Sequence, residues 1–71
     1  MDGSVYKVIE IVGTSRESWE QAAQTAMLTA ARSLRDIRVG EVLSMDLHIE
    51  DDKSVLYRTK LKVSFRYHNE E

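Results

Sequence analysis

Oxygen-bearing side chains crowd one short stretch of this sequence: Asp46, Glu50, Asp51 and Asp52, with His48 between the first two. Carboxylates at that density suit a hard divalent cation such as calcium, which takes about six to eight oxygen ligands. The stretch has neither EF-hand spacing nor a glycine-centred loop, so further ligands have to come from elsewhere, a second subunit for example. Alternation offers a competing account. Asp46, His48 and Glu50 share one face of an extended segment, while Arg58, Lys60 and Lys62 share one face of the next. Cross-strand charge pairing uses the same residues without any metal.

Glu41 is the charged residue among the odd-numbered, otherwise apolar positions of the first of these segments. A carboxylate on an apolar face has to be paired, hydrogen-bonded or titrated. An ion pair with Arg38, Arg58, Lys60 or Arg66 of a neighbouring subunit is the expectation. General acid catalysis would require a nucleophile or a second acid beside it; none is identifiable, and enzymatic activity is not expected. Arg58, Lys60, Lys62 and Arg66 form a basic stripe that could hold phosphate-bearing ligands if it lined a cavity. Nucleic acid is not the expected partner, because Tyr57 and Tyr67 fall on the opposite face and the formal charge is −2. Trp19, the only tryptophan, lies on a helical apolar stripe and reads as an anchor rather than a stacking platform.

Those residues need a scaffold, and the scaffold is small. Seventy-one residues make one expected domain, 1–71, near the size where a single core is marginal. Cysteine is absent, which removes disulfides and thiolate zinc sites. Self-association is then the favoured source of extra stability. No apolar run approaches the ~20 residues of a membrane span, and no signal-peptide core is visible. A soluble, cytoplasmic protein without a membrane partner is the expectation.

Between Val39 and Tyr67 apolar and polar residues alternate almost without a break. A period of two means half-buried antiparallel strands. Val5–Val12 reads as an earlier strand that Gly13 ends. Ser18, Trp19, Glu20 and Gln21 fit a capping box, with Ser15 a competing cap. Apolar residues from Trp19 to Leu34 then recur at helical spacing, predicting a helix over 17–36 with a buried side made mostly of alanine. The hairpin turn falls in Glu50–Lys53. Keeping odd residues of both strands on one face demands a three- or five-residue loop, pairing Ile49 with Val55 and Leu43 with Leu61. The fold class is therefore α+β: β-α-β-β, with a three-stranded antiparallel sheet of order 1-3-2 packed on one helix. The long strands outlast that helix, so their ends need cover from another copy.

VYKVIEIVGTS, SWEQAA, RVGEV and YRTKLKVSFR together resemble the dodecins, in order and without gaps from Val5 to Arg66. The resemblance implies a hollow homododecameric shell that binds riboflavin, FMN or FAD as stacked pairs, for storage or sequestration rather than catalysis. One branch of the family is linked instead with calcium. The family's flavin-stacking tryptophan falls on Val39 here, and its ring-edge glutamine falls on Arg58. An aromatic pair is worth ~0.5–1.5 kcal/mol beyond area burial, which valine cannot supply. Arginine donates hydrogen bonds but accepts none. Weak flavin affinity is the expectation, with a calcium-binding variant or a ligand-free structural assembly as alternatives.

Overall fold

The computed structural model describes residues 3–67. The element order is β1 (Tyr6–Ser15), α1 (Trp19–Ser33), β2 (Val39–Ile49) and β3 (Val55–Arg66). β3 is the central strand, antiparallel to both neighbours, so the sheet order is β1-β3-β2. This is the expected architecture. The helix lies on one face of the sheet, mainly over β1 and β3.

Serines set the helix start. Ser18 Oγ accepts from the Gln21 N–H at 3.0 Å, leaving one fewer orphan donor in the first turn. The competing serine acts as well: Ser15 Oγ accepts from the N–H groups of Glu17 and Ser18, at 2.9 and 3.4 Å. The helix ends at Ser33 rather than at residue 36. Leu34 has already turned to extended backbone, although its N–H still reaches the Ala30 carbonyl at 2.9 Å. Asp36 then takes φ 65, a left-handed conformation that aspartate tolerates better than most residues. That reversal returns Ile37 to the core.

The core is thin. Ala22, Ala26, Leu61 and Val63 are buried, with Ile9, Ile11, Ala23, Met27 and Ile37 packed around them. Thr59, the buried polar residue among those described, donates its hydroxyl to the Trp19 carbonyl at 3.0 Å. Because the helix presents alanine, it can approach the sheet closely. Gly13 is where it comes closest. A Cβ there would collide with the Ala22 carbonyl and lie 2.8 Å from Ala26 Cβ. Gly13 therefore does not end β1, as expected from sequence. The strand runs on through Gly13↔Thr59 to Ser15↔Tyr57, and the glycine is there to admit the helix.

The hairpin bears out the parity argument at its tip and departs from it further down. Ile49 pairs with Val55, and the Glu50 N–H donates to the Ser54 carbonyl at 2.9 Å. Asp51, Asp52 and Lys53 form the three-residue loop, with Lys53 at φ 74 in the left-handed position of a bulge-type turn. Leu43, however, does not pair with Leu61. It is the extra residue of a β-bulge, so Val42 faces Leu61, and the register is displaced by one from there to Val39↔Ser64. A one-residue slip exchanges the faces of a strand. Above the bulge Met45, Leu47 and Ile49 share the helix side. Below it Gly40 does, where an added Cβ would collide with the Met27 side chain, while Val39 and Glu41 turn to the other side. No helix among the described residues is long and apolar enough to cross a membrane.

Gly13→Ala tests the close approach. Overpacking of a full core costs about 1–3 kcal/mol, and here the obstacle is backbone, which cannot rotate away. A thermal unfolding midpoint well below that of the wild-type chain is expected; an unchanged midpoint contradicts the packing described.

Candidate functional site

The side of the sheet away from the helix carries the chemistry. Register places its side chains in rows. Val8, Ser64 and Val39 form one; Glu10, Lys62 and Glu41 the next; then Val12, Lys60 and Ser44; then Thr14, Arg58 and Asp46. The basic stripe thus runs down the middle strand with carboxylates on both flanks. Glu41 stands directly across from Lys62 on this face. That corrects its expected position on the apolar face, and the bulge at Leu43 is the reason.

Arg58 and Asp46 are joined twice. Nε donates to Oδ1 at 2.7 Å and Nη2 donates to Oδ2 at 2.8 Å, the bidentate fork of an arginine–carboxylate pair. These hydrogen bonds hold the Asp46 carboxyl below the ordinary aspartate value and push the guanidinium further up. On its main-chain side, Asp46 offers its carbonyl to the Trp19 indole N–H at 3.2 Å. The same indole sits edge-on to Tyr57, with ring centroids 5.1 Å apart and planes at 85°. Trp19 is the anchor its spacing suggested.

The hairpin tip is a second polar cluster. Arg16, in the turn after β1, donates to Glu50 Oε1 at 2.8 Å and to Ser54 Oγ at 3.2 Å. Asp52 Oδ1 accepts from the Ser54 N–H at 2.9 Å and from its hydroxyl at 2.6 Å. The Arg16 hydrogen bond keeps the Glu50 carboxyl below its usual range, and the Ser54 hydrogen bonds do the same for Asp52. An open groove of about 480 Å³ lies between His48, Ile49, Glu50, Asp51 and Asp52. Asp46 is not part of this cluster. It lies four strand residues away, roughly 13 Å, with its carboxylate engaged by Arg58. Among the described residues of a single chain, no three acidic or histidine side chains are grouped to hold a metal ion.

Val39 lines a different groove, of about 400 Å³, with Tyr6, Asp36, Arg38, Ser64 and Arg66. Arg58 is six residues from Ser64 along β3, roughly 20 Å. One chain therefore does not bring Val39 and Arg58 into one pocket. Two contributors escaped the reading of the sequence. Glu10 approaches Lys60 at 3.9 Å, and its even number in β1 already placed it on the basic face. Arg16 reaches the hairpin because β1 ends beside the start of β3 in an antiparallel pair, a proximity that topology alone implies.

A β-α-β-β chain whose sheet order is 1-3-2 with one helix on a single face is the fold shared by the solved dodecins it superposes on. The family model for dodecins matches residues 5–68, and the chain belongs to that family. It is 51% identical to the calcium dodecin of Mycobacterium tuberculosis over 63 residues, 89% of each chain. It is 39% identical to a dodecin of Thermus thermophilus over 64 residues, covering 90% of this chain and 93% of that one. The crystal structure of the calcium-chelating calcium dodecin from M. tuberculosis, described with a novel calcium-binding site, superposes with a TM-score of 0.87 at 47% identity, covering 96% of this chain and 97% of that one. The dodecin of Streptomyces coelicolor superposes with a TM-score of 0.86 at 33% identity, covering 97% and 99%.

The paired carboxylates carry a pH dependence. Groups whose folded values are lowered stabilise the fold above the ordinary carboxylate range, and that contribution disappears as pH falls through the lowered values. Asp46, Glu50 and Asp52 are surface groups, so the effect is small and weakened by salt. The unfolding midpoint is expected to hold between neutrality and pH 5 and to decline below about pH 4, less steeply at high ionic strength. A midpoint that rises over that acidic interval refutes the assignment.

Proposed function

We propose that this chain assembles as a homododecameric hollow shell and acts without catalysis, binding and sequestering a small ligand, calcium before flavin. The carrying observation is the apolar surface a solitary chain leaves in water. Val39 and Ile49 are each 66% exposed, Met45 56% and Leu47 51%. Exposed apolar residues on both faces of a chain of this size mark surfaces that meet another protein, and family membership supports further copies as that partner. Glu41, beside Lys62, is then available for ion pairing between subunits.

Two observations favour calcium. The chain's similarity to a calcium dodecin is high, and Glu50, Asp51 and Asp52 line one open groove at the hairpin tip, a partial ligand set that the described residues of a single chain do not group as a metal shell. Glu50 and Asp52 are each engaged through one oxygen only and retain lone pairs on the other for a cation, and other subunits would complete the oxygen shell. Flavin is the second reading. Val39 sits in a groove with Tyr6, Arg38 and Arg66, which offers cationic and hydroxyl donors but no broad aromatic surface at the strand start. Affinity for FMN, FAD or riboflavin is accordingly weak.

Light scattering with absorbance detection is the first measurement. A colourless particle of roughly twelve times the 8.2 kDa chain is expected; a stably folded solitary chain overturns the shell, and a tightly held yellow chromophore overturns the ranking of ligands. Calorimetric titration with calcium after chelator treatment should then give saturable heat that the Asp51→Asn, Asp52→Asn double variant loses. Heat retained by that variant moves the site away from the hairpin.

Val39→Trp addresses the flavin reading separately. Riboflavin affinity, followed by quenching of flavin fluorescence, should rise about three- to tenfold, the range that one aromatic stacking contact supports. No gain means that the surrounding groove has itself diverged.

A further inference from the structure

Between Val12, Ser44, Asp46, Arg58 and Lys60 lies a groove of about 170 Å³ on the helix-free face. Two cations and a hydroxyl around such a volume make a setting for a tetrahedral or planar oxyanion, because the guanidinium fork matches phosphate and carboxylate geometry bidentately. The groove already contains one oxyanion. Asp46 fills the fork of Arg58 through both of its carboxylate oxygens, at 2.7 and 2.8 Å. Lys60 is held far more loosely, its ammonium 3.9 Å from Glu10. Asp46 is also fixed from behind, since its carbonyl accepts from the Trp19 indole at 3.2 Å. A carboxylate anchored at its main chain and seated in the fork is a built-in counter-anion.

We infer that Asp46 sets the charge of ligand this groove accepts: its carboxylate occupies the Arg58 fork and excludes phosphate and carboxylate groups, and its removal leaves Arg58, Lys60 and Ser44 as an oxyanion site. The inference rests on the proposed function only in taking this face as the one that meets ligands. An external anion has to displace a partner that is tethered and therefore present at high effective concentration. On this reading the same tether lowers the groove's affinity for free anions despite the basic stripe. Asp46 touches no ligand in this role; it governs which ligand Arg58 can touch.

Inorganic phosphate is the probe, titrated calorimetrically at low ionic strength into the full chain, with particle mass measured on the same samples. Asp46→Ala should bind phosphate about two- to fivefold more tightly than wild type, the scale of one exposed ion pair released. Adding Arg58→Gln to that variant should abolish the gain. Asp46→Asn, which keeps the side-chain volume, should shift affinity in the same direction, and it carries the comparison where Asp46→Ala alters the particle. No gain in an Asp46 variant of wild-type mass overturns the inference, as does a gain that survives Arg58→Gln. A wild-type chain that proves to be solitary overturns the proposed shell while leaving the phosphate comparison readable, so the two ideas fail separately.

Discussion

The helix of this protein can rest on its sheet only because two small surfaces meet. Alanines at positions 22 and 26 face Gly13, where any side chain would strike the helix backbone. Close docking seals Leu61 and Val63 with little material. It also fixes how much of the sheet is covered. Fifteen helical residues span about 22 Å, whereas the eleven and twelve residues of β2 and β3 span about 36–40 Å. The molecule is accordingly long and thin, 55 Å by 20 by 16. Everything beyond the reach of the helix, the hairpin arm above all, has one side apolar and uncovered.

The bulge at Leu43 is the second determinant. Without it, Val39 and Glu41 would lie against the helix, and β2 would keep a single apolar side along its whole length. With it, β2 changes sides midway. Leu47 and Ile49 serve the helix side, while Val39 joins Val8 and Ser64 on the face that carries the charges. One inserted residue therefore converts a half-wet strand into a strand with a structural half and a surface half. Bulges recur at such places because they re-aim side chains.

Much of this was legible from residue order. Period-two alternation, the serine cap and the parity of the tip loop led to the elements, the sheet order and the Ile49–Val55 pair. The resemblance of four segments led to the family. The bulge was not legible, because Val42 and Leu43 are both apolar and the alternation can be read through either of them; the misplacement of Glu41 followed directly. Gly13 was misread for a related reason. A glycine after a strand looks like a stop, and only the helix passing overhead shows that it marks a crossing. The acids were visible as a cluster, yet which basic residue each would meet depended on registry and on Arg16 reaching across from another turn. Asp46 consequently fell with the wrong neighbours: the sequence places it near Glu50, and the fold gives it to Arg58.

Trp19 joins these parts at one point. Its indole N–H is bonded to the carbonyl of Asp46, its ring edge meets Tyr57, and its own carbonyl receives the Thr59 hydroxyl. As the chain has a single tryptophan, its tryptophan fluorescence, excited selectively over that of the tyrosines, comes entirely from the seam between helix and arm. Emission wavelength and lifetime then constitute an intrinsic optical gauge of whether the arm is seated, readable in solution with no label attached.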